Sequence, residues 1–202
     1  MSTTIVHLVR HGEVHNPTQV LYGRLPSFHL SSRGASQAAA TAASFAGHDV
    51  AYLAASPLTR AQETSRPFVD VTGLQVETDE DLIESWNDYE GLRTKGWRSE
   101  LLNPKHWPRM TRPSEPSWGE PYGEILARMM DAVERARLAA EGHEAILVSH
   151  QLPIVTVQRS VRGLPLPHAP WRRECDLASV SSLIFQGEEI TDIYYSTPAR
   201  EI

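Results

Sequence analysis

The chain is predicted to fold as an α/β protein, a three-layer α/β/α sandwich around a mostly parallel sheet. Three observations predict it. Short apolar, β-rich runs recur at residues 4–9, 50–55 and 145–148. Segments of helical spacing separate them, and alternation of this kind builds a parallel sheet covered on both faces. Polar residues cluster where those runs end, and open α/β sheets gather ligands at the carboxyl ends of their strands. With 202 residues the chain has the size of one ordinary domain. It is expected to form a single domain over residues 1–202, with an irregular, cap-like insertion at about residues 85–122.

The elements follow in order. Residues 4–9 read as a buried strand bounded by Arg10-His11-Gly12. A polar loop follows through Asn16-Pro17, Tyr22-Gly23-Arg24 and Pro26. Ser31 or Ser32 can then cap an Ala-rich helix that runs to about Ala46 and stops at Gly47. Residues 50–55 form the second strand. Ser56-Pro57 is a helix-start signal, a capping hydroxyl followed by proline, and that helix runs on towards Val71 with Pro67 bending or shortening it. Residues 75–78 read as a short third strand. From about residue 85 the chain is Pro-interrupted and holds Trp86, Trp97, Trp107 and Trp118, which are expected to line or gate a substrate cleft. Residues 123–140 return to helical spacing, with Ile125, Met129, Ala132, Val133 and Ala136 on one face. A buried strand then ends at Ser149-His150, a helix spans about 153–161, and residues 178–185 and 190–195 read as a hairpin around Gln186-Gly187-Glu188.

Composition removes several function classes. The net charge is −6, from 19 basic and 25 acidic residues, which argues against a nucleic-acid or anionic-membrane surface. The lone Cys175 leaves no disulfide framework and no multi-thiolate zinc site. No apolar run reaches transmembrane length, and Met1-Ser2-Thr3-Thr4 lacks the basic start of a signal peptide. A cytoplasmic protein is expected, with dimers the common default for assembly.

The strand-end residues carry the chemistry. Arg10-His11 leaves the first strand, so an arginine can pair with an anion's oxygens while a neutral imidazole attacks its phosphorus. Arg60 sits in the first turn of a helix, where the macrodipole disfavours a cation unless an anion is shared there; a buried salt bridge to Glu63 or Glu84 is the structural alternative. His150 ends the last parallel strand, either as a satisfied core histidine or as a second ring beside the first. Two arginines and two imidazoles would surround a phosphoryl group without a metal or organic cofactor. Glu84, flanked by Leu82, Ile83 and Trp86, is the candidate proton donor. Rival constellations fail: His11-Gly12-Glu13-Val14-His15 lacks zinc-protease spacing, and the nine histidines give no other metal spacing.

These residues resemble the histidine phosphatase superfamily, in its phosphoglycerate mutase-like branch. Arg10-His11-Gly12-Glu13 is similar to the signature whose histidine is phosphorylated. Ser56-Pro57-Leu58-Thr59-Arg60-Ala61-Gln62-Glu63-Thr64 is similar to the motif whose arginine binds the phosphoryl group. Leu82-Ile83-Glu84 resembles the acid-bearing motif, and Leu147-Val148-Ser149-His150 resembles the segment with the second catalytic histidine. The resemblance implies His11, Glu84, His150, Arg10 and Arg60 as catalytic residues and no cofactor. Asn16, Tyr22, Gly23 and Gln151 are the implied substrate-binding residues. Asn87, His29 and Gln151-Leu152 depart from the family pattern at positions expected to bear on substrate choice.

The implied activity is a histidine acid phosphatase-type phosphatase acting on a small phosphomonoester. Mutase-type transfer is the alternative, since both share the phosphohistidine. Only seven residues follow Tyr195, too few to close over a captive intermediate, which favours the hydrolase. A non-catalytic phospho-ligand module is the third reading.

Overall fold

The structure is a computed structural model that describes residues 2–93, 100 and 119–202. Most of the predicted insertion, including Trp97, Trp107 and Trp118, lies outside the described residues. Strand β1 (Thr3–Arg10) is central, and the sheet order is β3-β2-β4-β1-β5-β6. Its other strands are β2 (Val50–Ala55), β3 (Glu77–Thr78), β4 (Glu144–Ser149), β5 (Val180–Gln186) and β6 (Glu189–Ser196). The first four run parallel, and β5 and β6 add an antiparallel hairpin beside β1. The predicted α/β sandwich is the observed architecture.

Both sheet faces are covered, which is why the strands read as continuous apolar runs rather than alternating ones. One face presents Val9, Leu53, Ala55, Ile146 and Val148 to helices α1 (Ser32–Ala43) and α2 (Thr59–Thr72). The other presents Val6, Leu8, Ala145, Leu147 and Leu183 to α3 (Tyr122–Ala139) and α4 (Gln151–Val161). Ile125, Met129, Ala132, Val133 and Ala136 form the buried stripe of α3, as its spacing predicts. Truncating a fully buried side chain such as Met129 to Ala costs roughly 2–5 kcal/mol.

The helix starts differ from the sequence reading in two instructive places. Ser31 caps α1, its Oγ accepting from Gly34 N at 3.0 Å. Ser56, predicted to cap α2, does not: the helix begins at Thr59, Leu58 is its cap residue, and the Ser56 hydroxyl is engaged by His150. Helix α4 starts two residues before Pro153, directly after His150. Proline is tolerated there because first-turn N–H groups have no intrahelical acceptor.

Glycine brings α1 against the loop after β1. A Cβ on Gly12 would lie 2.5 Å from the Gly34 carbonyl oxygen, and one on Gly34 would lie 2.0 Å from that of Glu13. The amino end of α1 thereby abuts the turn that carries His11. Among the described residues, no helix is long and apolar enough to cross a membrane.

Candidate active site

The carboxyl ends of β1 and β4 lie side by side, with Arg10 in register with Ser149. Each is followed by a histidine, and His11 N donates to Ser149 O at 3.1 Å. The two rings meet beyond the sheet, with centroids 5.2 Å apart, and both residues are buried.

The tautomer of His11 follows from its partner. Nδ1 lies 2.8 Å from the Gly12 carbonyl oxygen, which can only accept, so Nδ1 carries the proton and Nε2 holds a lone pair. Burial pushes the His11 pKa well below its ordinary value, and the Arg60 and Arg10 guanidiniums push the same way, against the Gly12 hydrogen bond. The ring is therefore neutral at pH 7, as a nucleophile must be. His150 is pushed down too, by burial first and then by Arg60 and His11.

Arg60, 1% exposed, is the second residue of α2. One Nη donates to the Gly23 carbonyl at 2.7 Å, and the guanidinium lies 4.8 Å from the centre of the Tyr22 ring. Glu63, one proposed partner for it, instead binds His29 at 2.6 Å and Leu30 N at 2.8 Å. Arg10 is anchored through Nη1 to the Cys175 carbonyl at 2.6 Å. Among the described residues, three buried side-chain polar atoms have no hydrogen-bond partner: Arg10 Nε, Arg60 Nε and His150 Nδ1. Buried polar atoms are ordinarily satisfied, and one left alone costs about 1–3 kcal/mol. All three belong to residues that surround His11.

Glu84 lines the cleft that opens from His11, a space of about 760 Å³. Its Oε1 accepts from Ser85 N at 2.9 Å. The loop bearing it is held by its carbonyls. Arg128 on α3 donates to Asp81 O and Ile83 O at 2.5 and 2.7 Å, and Arg24 donates to Glu84 O at 2.6 Å. Buried Glu120 pairs with both arginines, at 2.8 and 2.9 Å. Tyr22, Gly23 and Gln151 line the same cleft, as do Trp86 and Asn87. Asn16 does not: its amide is committed to Val20, donating to the carbonyl at 2.8 Å and accepting from the N–H at 3.2 Å. His29, bound to Glu63, is likewise absent from the described lining.

The sequence places Ser56 at this edge, after β2, but as a helix start; its Oγ lies 2.8 Å from His150 Nε2. Other site residues escape the sequence reading. Arg173, from the loop after α4, lines the cleft and donates to His168 Nε2 at 3.0 Å. No local pattern marks Arg173, Glu120 or Arg128.

Comparison with known proteins places this geometry. The profile of the histidine phosphatase superfamily (branch 1) matches residues 6–194. The chain is 53% identical over 196 residues to the uncharacterized protein Rv0525 of Mycobacterium tuberculosis, covering 97% of each chain. It is 30% identical over 187 residues to a probable phosphoglycerate mutase, GpmB, of Yersinia enterocolitica, covering 87% of this chain and 83% of the relative. Among solved structures, Bacillus stearothermophilus YhfR superposes with a TM-score of 0.77 at 23% identity, over 93% of this chain and 95% of the other. The mycobacterial glucosyl-3-phosphoglycerate phosphatase Rv2419c, complexed with VO3, superposes with a TM-score of 0.74 at 23% identity over 98% of each.

Proposed function

The chain belongs to the histidine phosphatase superfamily, and within it we propose a phosphomonoester hydrolase that works through a phosphohistidine on His11. The observation that carries this reading is the set of three unpartnered buried polar atoms around a neutral imidazole. Arg10 Nε, Arg60 Nε and His150 Nδ1 offer donors to the oxygens of a tetrahedral anion, and Nε2 of His11 faces its phosphorus.

The reaction has two displacements. His11 Nε2 attacks phosphorus as the bond to the leaving oxygen breaks, and Glu84 gives that oxygen its proton. Water then attacks the phosphohistidine, Glu84 takes a proton from it, the P–N bond breaks and inorganic phosphate departs. The arginines and His150 hold the equatorial oxygens throughout, where negative charge concentrates. With the Ser56 hydroxyl donating to Nε2 of His150, the proton of that ring sits on Nδ1, directed at the phosphoryl oxygens. Glu120, Arg128 and Arg24 act through Glu84, fixing the loop that carries it.

Phosphoglycerate mutase-type transfer is the second reading, favoured by the relative at 30% identity. The described cleft argues the other way. Beyond the phosphoryl pocket it is walled by Leu21, Trp86, Leu152, Pro167 and Pro170, with Arg173 its described cation. Such walls suit a leaving group with apolar or aromatic surface better than a captive, highly charged phosphoglycerate.

Rapid-quench labelling with a phosphorylated substrate tests the mechanism. Acid-labile phosphate is expected on His11, with release of inorganic phosphate in multiple turnovers. Label transfer to an added phosphoglycerate faster than to water would assign the mutase. Full activity of His11→Ala would end both readings.

A further inference from the structure

Away from the carboxyl edge of the sheet, towards the start of β4, lies a second histidine cluster. His7 lies mid-strand on β1, His48 precedes β2, and Glu144 opens β4. A single oxygen, Glu144 Oε2, takes both rings: His7 Nε2 at 2.8 Å and His48 Nδ1 at 2.8 Å. One potential ligand atom from each residue lies within 4.8 Å of the others. We propose that His7, His48 and Glu144 form a binding site for a divalent transition metal, with Zn²⁺ as its occupant.

The donor set is that of such a site. Two imidazoles and a carboxylate suit zinc and its neighbours rather than calcium or magnesium, which prefer oxygen alone. Tetrahedral zinc with ligands about 2.0–2.1 Å away spaces those ligands about 3.3 Å apart. The two 2.8 Å contacts to Glu144 therefore need to open by about half an ångström, the imidazole nitrogens already lie within 4.8 Å of each other, and a water can complete the coordination.

The surroundings hold the ligands in place. His7 Nδ1 lies 2.8 Å from Ser182 Oγ, its cross-strand neighbour on β5. A hydroxyl accepts as readily as it donates, so Ser182 can take the Nδ1 proton when Nε2 binds metal, the outer contact that metal-bound histidines ordinarily have. His48 can shift its own proton to Nε2, on a side chain 42% exposed. Phe45 packs beside both imidazoles, with centroids 4.9 Å from His7 and 5.1 Å from His48 while the two imidazoles are 6.4 Å apart, and walls one side of the pair. Glu144 N donates to Asp49 O at 2.9 Å, which ties the start of β4 to the loop that carries His48. An ion here would tie β1, β4 and the loop before β2 together, remote from His11, so the site does not rest on the hydrolase reading.

The test is Zn²⁺ titration of the EDTA-stripped full chain against a chromophoric chelator, with melting followed in parallel. Wild type is expected to take one zinc per chain and to melt higher with it. His48→Ala, a change at an exposed ring, is expected to weaken binding at least tenfold and abolish the melting shift while leaving the metal-free melting temperature and the hydrolysis of p-nitrophenyl phosphate unchanged. Glu144→Gln, which keeps an amide oxygen for hydrogen bonding, is expected to weaken binding similarly. His11→Ala controls for the catalytic imidazoles and is expected to bind zinc as wild type does. Failure of wild type to take zinc at one equivalent, equal uptake by His48→Ala, or loss of uptake in His11→Ala instead would each overturn the site.

Discussion

One pair of imidazoles lies beyond the carboxyl ends of β1 and β4 and another lies towards the start of β4, and their partners give them opposite characters. His11 and His150 face Arg10 and Arg60, with no carboxylate among the described residues bonded to either ring. Burial and positive neighbours keep both neutral, which leaves a lone pair for nucleophilic attack. His7 and His48 instead share Glu144, whose carboxyl is held down at about 2 by the His7 hydrogen bond first, against burial, with His48 adding to it. A histidine's chemistry is thus set by what lies across from it. The residues around His11 leave buried polar atoms unpartnered among the described residues, whereas the second pair shares one carboxylate.

The largest break in the comparison is His11→Ala. Removal of the nucleophile is expected to lower kcat by about four orders of magnitude or more, with the fold retained by circular dichroism. Activity within tenfold of wild type would rule out the covalent route. Glu84→Gln comes next and sharpens the acid's role. With an alkyl phosphate kcat is expected to fall roughly 10²–10⁴-fold, the usual worth of a general acid. With p-nitrophenyl phosphate, whose leaving group departs without a proton, the loss should be far smaller. Equal losses on both substrates would remove Glu84 from that role.

A third prediction concerns pH. His11 and His150 have pKa values lowered by folding, chiefly by burial. Between the folded pKa and about 6.5 the unfolded chain binds protons that the folded chain refuses, so stability rises with pH across that window. This contribution is fully present above about pH 6.5 and is lost as pH falls through the window. Each ring adds a slope of up to about 1.4 kcal/mol per pH unit. Urea unfolding at pH 7.5 and pH 5.5 should show a steeper loss in wild type than in a His11→Asn/His150→Asn variant. Parallel curves would mean that the rings are accessible to protons in the folded state.

The cluster around His11 was largely legible in the sequence, and the cluster around His7 was not. Residues 5–9 and 145–148 read as strands because both sheet faces are covered, and Arg10, His11, Ser56, Arg60 and His150 follow strand ends that the parallel topology brings together. Glu120, Arg128 and Arg24 form their clamp across 96 residues of chain, and no local pattern reports such a pairing. His7 and Glu144 are 137 residues apart, so a search for histidines at ligand spacing passes over them. Ser56 shows a subtler limit. The same Ser-Pro pair that signals a helix cap supplies a hydroxyl that serves two groups at once, accepting from Leu58 N at 3.3 Å and meeting Nε2 of the second imidazole at 2.8 Å.

That hydroxyl gives the last prediction, because each imidazole pair has one serine behind one ring. Ser56 Oγ lies 2.8 Å from His150 Nε2, and Ser182 Oγ lies 2.8 Å from His7 Nδ1. If Ser56 directs the His150 proton towards the phosphoryl group, Ser56→Ala should lower kcat/KM about tenfold, close to the net worth of one hydrogen bond. The loss should fall mainly in kcat, since the donor matters most where charge concentrates in the transition state. Ser182→Ala should leave kcat/KM unchanged and instead weaken zinc binding by about tenfold or more, the usual effect of removing an outer contact from a metal-bound histidine. The two variants therefore cross: each should be silent in the other's assay. If Ser56→Ala loses stability but not kcat, the hydroxyl merely satisfies a buried nitrogen, and the orientation of His150 must come from its position as the cap residue of α4.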